Sequence, residues 1–126
     1  KLNIASNIIF CGVRDDIQKL MLCADTLIHP AHTESAGMVL IEALAAGLAV
    51  LTTANCGYAF HIETANTGIV SPCPFNQQQL NQDLLEVIVS KHRNQWHNNA
   101  IAYVNSTDLY SLHQQAAEAI NALAKR

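Results

Sequence analysis

A chain of 126 residues, half of them apolar and 13% charged, can bury one core without disulfides and is too apolar for a disordered polypeptide. Its net charge of −3, with seven scattered Lys and Arg, excludes the basic stripe that a row of phosphates demands, so nucleic acid is not an expected partner. Cys11, Cys23, Cys56 and Cys73 are too irregularly spaced for a zinc knuckle or a redox pair and read as buried cytosolic thiols, and no apolar run reaches the roughly 20 residues of a membrane span.

Lys1 to Asn7 leads almost at once into an apolar run, with no initiator Met and no leader, the pattern of a chain that begins inside a longer protein. Asn7 to Val13 reads as a short buried strand, and the carboxylates of Asp15 and Asp16 after Arg14 are good helix N-caps. Ile17, Leu20, Met21 and Ala24 then recur at helical spacing. Thr26 to His29 is a second strand, stopped by Pro30, and a loop runs from Ala31 to Glu34. From Ala36 to Ala46 the chain is apolar except at Glu42, which predicts a buried helix with Ser35 at its N-cap and Gly47 as its C-terminal cap.

Ala49 to Thr53 is a third strand, Asn55 to Tyr58 a turn, and Thr67 to Val70 a fourth strand ahead of Pro72 and Pro74. Beyond Pro74 the pattern is helical. Leu80, Leu84, Val87 and Ile88 mark one amphipathic helix, Trp96, Ala100 and Tyr103 a second, and Leu112 to Leu123 a third. With no internal repeat or low-complexity linker, residues 1–126 read as one α/β domain, a Rossmann-like, mainly parallel sheet with flanking helices and a helical C-terminal third. Such sheets bind ligands at the carboxyl ends of their strands, which singles out the loops 12–16, 30–37 and 53–58.

Glu42 is the most informative residue, because an ionised carboxylate in an otherwise apolar helix costs several kcal/mol unless it is hydrogen-bonded. An internal salt bridge to a residue such as Arg14 is one way to satisfy it. A bound ligand is the other. Glu34 lies eight residues earlier, and between them the free amides of Ala36, Gly37, Met38 and Val39 at the helix mouth attract an anion. Gly37 lets a phosphate approach the backbone. Glu42 then sits roughly 6 to 9 Å along the helix from those amides, a span that a nucleoside diphosphate bridges between phosphate and ribose. Two glutamates so placed would bracket a diphosphate between two polyols.

The run Glu34 to Glu42 resembles the E-x7-E motif of the retaining GT-B glycosyltransferases, family four. With Phe10 to Asp15, His29 to Gly37, Leu51 to Tyr58 and Asp108 to Leu112, the chain is most similar to those that add glucose to heptose of the lipopolysaccharide inner core. The resemblance implies the C-terminal, donor-binding half of a GT-B enzyme. It places the ribose on Glu42, the donor sugar on Glu34, the diphosphate on Gly37, Met38 and Val39 beside Ser35, and the uracil near Arg14. The donor would be UDP-glucose, without a cofactor or metal. The acceptor would be held by an N-terminal domain that these residues lack, as they lack the family's phosphate-binding Arg or Lys pair. UDP binding in the millimolar range, about −4 kcal/mol, and no transfer by this chain alone are therefore expected. A cytoplasmic protein is implied, and peripheral association of the full-length enzyme with the inner membrane is compatible with it. His29 and His32 flank Pro30 without a third ligand and read as structural or sugar-adjacent. No nucleophile-elbow spacing supports hydrolase chemistry. A receiver-like or other non-catalytic nucleotide-binding module with the same sheet, or an enzyme with another donor or acceptor, are the alternatives.

Overall fold

A computed structural model describes residues 4–124. Three strands, β1 (Thr26–His29), β2 (Ala49–Thr53) and β3 (Gly68–Ser71), form a sheet in that order, every pair parallel, with Thr26 opposite Ala49 and Val50 opposite Gly68. Parallel neighbours require a crossover, and each crossover here is a helix. The chain supplies α1 (Ile17–Leu22), α2 (Met38–Ala45), α3 (Ala59–Ala65), α4 (Gln77–Val89), α5 (Arg93–Ser106) and α6 (Leu112–Ala124).

The central strand explains the layers. All five residues of β2 are buried, and because side chains alternate along a strand its two faces enter different cores. Val50 joins Leu40, Ile41 and Leu44 of α2 with Ile62 of α3 and Ala100 of α5. Ala49 and Leu51 pack on the other face with Leu80 and Val87 of α4 and Trp96 of α5. Helix α5 thus reaches both cores. Under the second face the buried Asp83 accepts from Ser71 Oγ and from Gln79 Nε2, the latter at 2.8 Å, so its charge is hydrogen-bonded where burial would otherwise penalise it.

Helix α2 ends as its sequence predicts. Leu48 N donates to Ala43 O and Gly47 N to Leu44 O, both at 3.0 Å, with Gly47 at φ 74, a Schellman cap. Helix α4 begins with Asn76 Oδ1 accepting from the amides of Gln78 and Gln79. Among the described residues no helix is long and apolar enough to cross a membrane.

Four expectations are corrected. Asn7 to Val13 is not a strand: a single 3-10 turn, Ala5–Asn7, leads into a segment that joins no sheet, with Ile9, Phe10 and Val13 exposed. An apolar run reports a need for burial, and strand formation requires in addition a neighbour to pair with. Helix α3 was not foreseen, although Ala59, Ile62 and Ala65 are its buried stripe. Only Cys56 of the four thiols is buried, while Cys11, Cys23 and Cys73 are exposed. In α4, Ile88 faces solvent with Leu85 and Val89.

Candidate functional site

The loops after β1 and β2 meet at the carboxyl end of the sheet, and their backbones are joined there. Glu34 N donates to Asn55 O at 3.2 Å, Gly57 N to Glu34 O at 3.0 Å and Tyr58 N to Ala36 O at 2.8 Å, so Glu34 and Cys56 form a one-residue parallel bridge. Side chains extend the seam: Thr52 Oγ1 donates to His29 O at 3.2 Å, and Cys56 Sγ lies 3.4 Å from Ala36 O. Gly57 has no side chain because a Cβ there would overlap Ser35 O. Burial, and with it the Glu34 charge, pushes the Cys56 thiol pKa up, so this cysteine packs as a neutral group.

That seam sets where α2 starts. The N-cap is Gly37, not Ser35, and the helix begins at Met38, later than Ala36. Gly37 takes φ 87, ψ 54, a left-handed turn that L-residues with a Cβ disfavour. The Ala36 amide is not free, since it donates to Glu34 Oε1 at 3.3 Å. The amides of Gly37, Met38 and Val39 make none of the loop or cap hydrogen bonds among the described residues. They are the donors left at the positive end of α2.

The two glutamates lie in separate clefts. Glu34, half-buried, lines one of about 320 Å³ with Asn55, Cys56, Phe60 and Glu63. Glu42, one turn into α2, lines another of about 270 Å³ with Gln18 and Met21 of α1 and with Tyr110. The sequence predicted a buried helix around Glu42; the helix is largely buried, but Glu42 itself is half-buried on the wall of this cleft, a position that costs a polar group less than full burial. The alternative partner is excluded: Arg14 pairs with Asp16 through Nε at 2.6 Å and Nη2 at 2.7 Å. Arg14 holds the Asp16 carboxyl below the ordinary carboxylate range. Asp16 occupies the N-cap of α1, but with its oxygens on Arg14 it makes no side-chain cap bond.

Sequence reasoning placed Arg14, Glu34, Ser35, Gly37, Met38, Val39 and Glu42 at the site; the structure sets the three amides at the start of α2, with Glu34 in the loop before it and Glu42 one turn beyond, each glutamate opening into its own cleft. Ser35 is exposed beside the helix start, and Arg14 is held in its own loop by Asp16. Asn55, Phe60 and Glu63 were missed. The signal was available, since a helix with Ala59, Ile62 and Ala65 inside must turn Phe60 and Glu63 outward together. His29 Nε2 is buried without a hydrogen-bond partner among the described residues, and the His32 ring packs on Phe75 at 4.2 Å between centroids. Among the described residues no three His, Cys, Asp or Glu are grouped as metal ligands would be.

Residues 1–103 match the family of glycosyl transferases group 1. The chain is 50% identical over 121 residues to the lipopolysaccharide glucosyltransferase WaaG of Escherichia coli K12, covering 95% of this chain and 32% of that one. It is 37% identical over 65 residues to sucrose-phosphate synthase 4 of Arabidopsis thaliana, covering 52% of this chain and 6% of that one. The crystal structure of WaaG, a glycosyltransferase involved in lipopolysaccharide biosynthesis, matches with a TM-score of 0.84 at 50% identity, over 91% of this chain and 31% of the other. The chain therefore spans a third or less of the length of the curated relatives it matches.

Proposed function

This chain belongs to the glycosyl transferases group 1, and from that premise we propose that it is the C-terminal, donor-binding domain of a retaining GT-B enzyme that transfers glucose from UDP-glucose to heptose of the lipopolysaccharide inner core. One observation carries the reading: two half-buried carboxylates, Glu34 and Glu42, open into different clefts on either side of a helix start whose Gly37, Met38 and Val39 amides are left without acceptors. The 50% identity to a lipopolysaccharide glucosyltransferase supports the choice of donor and acceptor.

In this reading the diphosphate lies across the three amides, with the Ser35 hydroxyl beside it. As the bond between glucosyl carbon and phosphate oxygen breaks, negative charge grows on the departing diphosphate, where oriented amides and the α2 dipole stabilise it without a metal. Glu42 accepts hydrogen bonds from the ribose hydroxyls and Glu34 from those of glucose. Arg14 meets the uracil, and to do so it gives up its ion pair with Asp16, which is left to solvent at the protein surface. The acceptor is held by residues outside this chain, in a protein that works at the cytoplasmic face of the inner membrane.

A hybrid enzyme tests the proposal, with this chain replacing the aligned 121 residues of the Escherichia coli relative. Transfer of glucose from UDP-glucose to heptose-containing core acceptor, unchanged by a chelator, is expected. A hybrid that folds and prefers UDP-galactose or UDP-N-acetylglucosamine would overturn the donor assignment, and a rate that requires added Mg²⁺ would overturn the metal-free chemistry.

A further inference from the structure

The cleft beside Glu34 is walled by more than the motif. Its other chemistry comes from the loop after β2 and from α3: the Asn55 amide, the Phe60 ring and the Glu63 carboxylate. Phe60 and Glu63 are three apart on α3, so they stand on one helix face. Phe60 is 52% exposed, so its ring is available on the wall of the cleft it lines. None of the residues lining the cleft is basic.

That composition selects a ligand class. Two carboxylates with no cation beside them repel a phosphate, which excludes the diphosphate itself from this cleft. They accept hydrogen bonds, and a neutral polyol offers hydroxyl donors. Asn55 adds the complementary function: its Oδ1 already accepts from Cys73 Sγ at 2.8 Å, which leaves the two Nδ2 hydrogens to donate toward a ligand oxygen. Phe60 offers an apolar surface to the carbon face of a sugar ring. The volume of about 320 Å³ is at the small end of ligand sites, suited to a single hexose rather than an oligosaccharide.

We propose that Glu63 and Asn55 are specificity-determining residues that, with Glu34, grip the hydroxyls of the donor hexose in this cleft. The inference rests on the proposed function, since the sugar reaches the cleft only if its diphosphate lies on the Gly37 to Val39 amides. Glu34 and Glu63 approach from different elements, the loop after β1 and helix α3, with Asn55 on the loop between them. A hexose held at three points is fixed in orientation as well as place, and an epimer with one hydroxyl turned away leaves one of those groups unpaired.

Titration of this chain by heteronuclear NMR with UDP and with UDP-glucose tests it. Both ligands are expected to shift the Gly37, Met38 and Val39 backbone amides. Only UDP-glucose should shift the Asn55 side-chain amide and the Phe60 ring. In Glu63→Gln the affinity for UDP-glucose should fall about tenfold, the value of one hydrogen bond to a charged group, with UDP unaffected. Asn55→Ala should narrow the preference for UDP-glucose over UDP-galactose. Equal perturbation of Asn55 and Phe60 by both ligands, or a Glu63→Gln chain that binds UDP-glucose as the parent does, would overturn the inference while leaving the diphosphate site intact. Absence of any shift at Gly37 to Val39 with either ligand would instead remove the functional reading on which it stands.

Discussion

Gly37→Ala probes the geometry on which the site depends. At φ 87 a residue with a Cβ pays about 1–2 kcal/mol for left-handed backbone. The new methyl would also overlap Cys56 Sγ, with Glu34 Cγ at 3.4 Å and Leu40 Cγ at 3.7 Å closing the other sides. Cys56 is itself 3% exposed and bonded through its backbone into the loop seam, so its sulfur yields only by changing rotamer toward the cleft it lines, and overpacking of this kind costs about 1–3 kcal/mol. The sum, about 2–5 kcal/mol, is a large part of the 5–15 kcal/mol typical of a domain. Urea unfolding should show the midpoint falling at unchanged slope. Cys56→Ala combined with Gly37→Ala removes the overlap and keeps the strain, so a double-mutant cycle should return a coupling of about 1–3 kcal/mol. A loss below about 1 kcal/mol, or no coupling to Cys56, would refute the reasoning.

Thiol labelling under native conditions should modify Cys11, Cys23 and Cys73 quickly and Cys56 only on unfolding, because Cys56 alone is buried with a raised pKa; mass spectrometry of the labelled peptides reads this directly, and rapid labelling of Cys56 would contradict the packing. His61 supplies a pH dependence. Burial lowers its pKa from 6.5, so below that pH the unfolded chain binds the extra proton; its contribution is full above about pH 6.5 and is lost as pH falls through the lower folded-state value. Thermal melts should show this decline in the parent and a flatter profile in His61→Phe. Glu42→Gln should weaken UDP and UDP-glucose alike by about tenfold, whereas Glu34→Gln, whose amide oxygen can still accept from Ala36 N, should leave UDP within about threefold. A Glu34 variant that loses UDP as badly as the Glu42 variant would contradict the division of roles.

The parts of the fold legible in the sequence were those with a local signal. Strands β1 to β3 and the C-terminal helices announced themselves through apolar period and through Pro30, Pro72 and Pro74, and Gly47 marked its own cap. Asn7 to Val13 misled because pairing is a property of neighbours, which the run does not contain. The start of α2 was misplaced by two residues because Ser35 looks like a cap in isolation. Its neighbourhood is fixed instead by Asn55 to Tyr58, some twenty residues away, which bond the loop backbone and leave the left-handed turn to Gly37. For the same reason the motif revealed Glu34 and Glu42 but not Asn55, Phe60 or Glu63, whose place in the cleft is set by that seam.

The separation of the two clefts also shows why the motif glutamates need to be unpaired in the free protein. A carboxylate already bound to an internal cation offers a ligand no net gain, since the new hydrogen bonds replace bonds of equal strength. Arg14, the basic residue of the loop ahead of α1, is occupied by Asp16, and no basic residue lines either cleft. Half-burial of both glutamates excludes part of the competing water, so that a hydrogen bond from a ligand hydroxyl counts for more than it would at an open surface. On the proposed reading, the interaction with Glu42 is present with UDP and UDP-glucose alike and holds the nucleotide, whereas that with Glu34 is made only when a sugar is attached. The second is thus the one that can strengthen as positive charge develops on the glucosyl carbon, and binding realised at that point is what lowers the barrier.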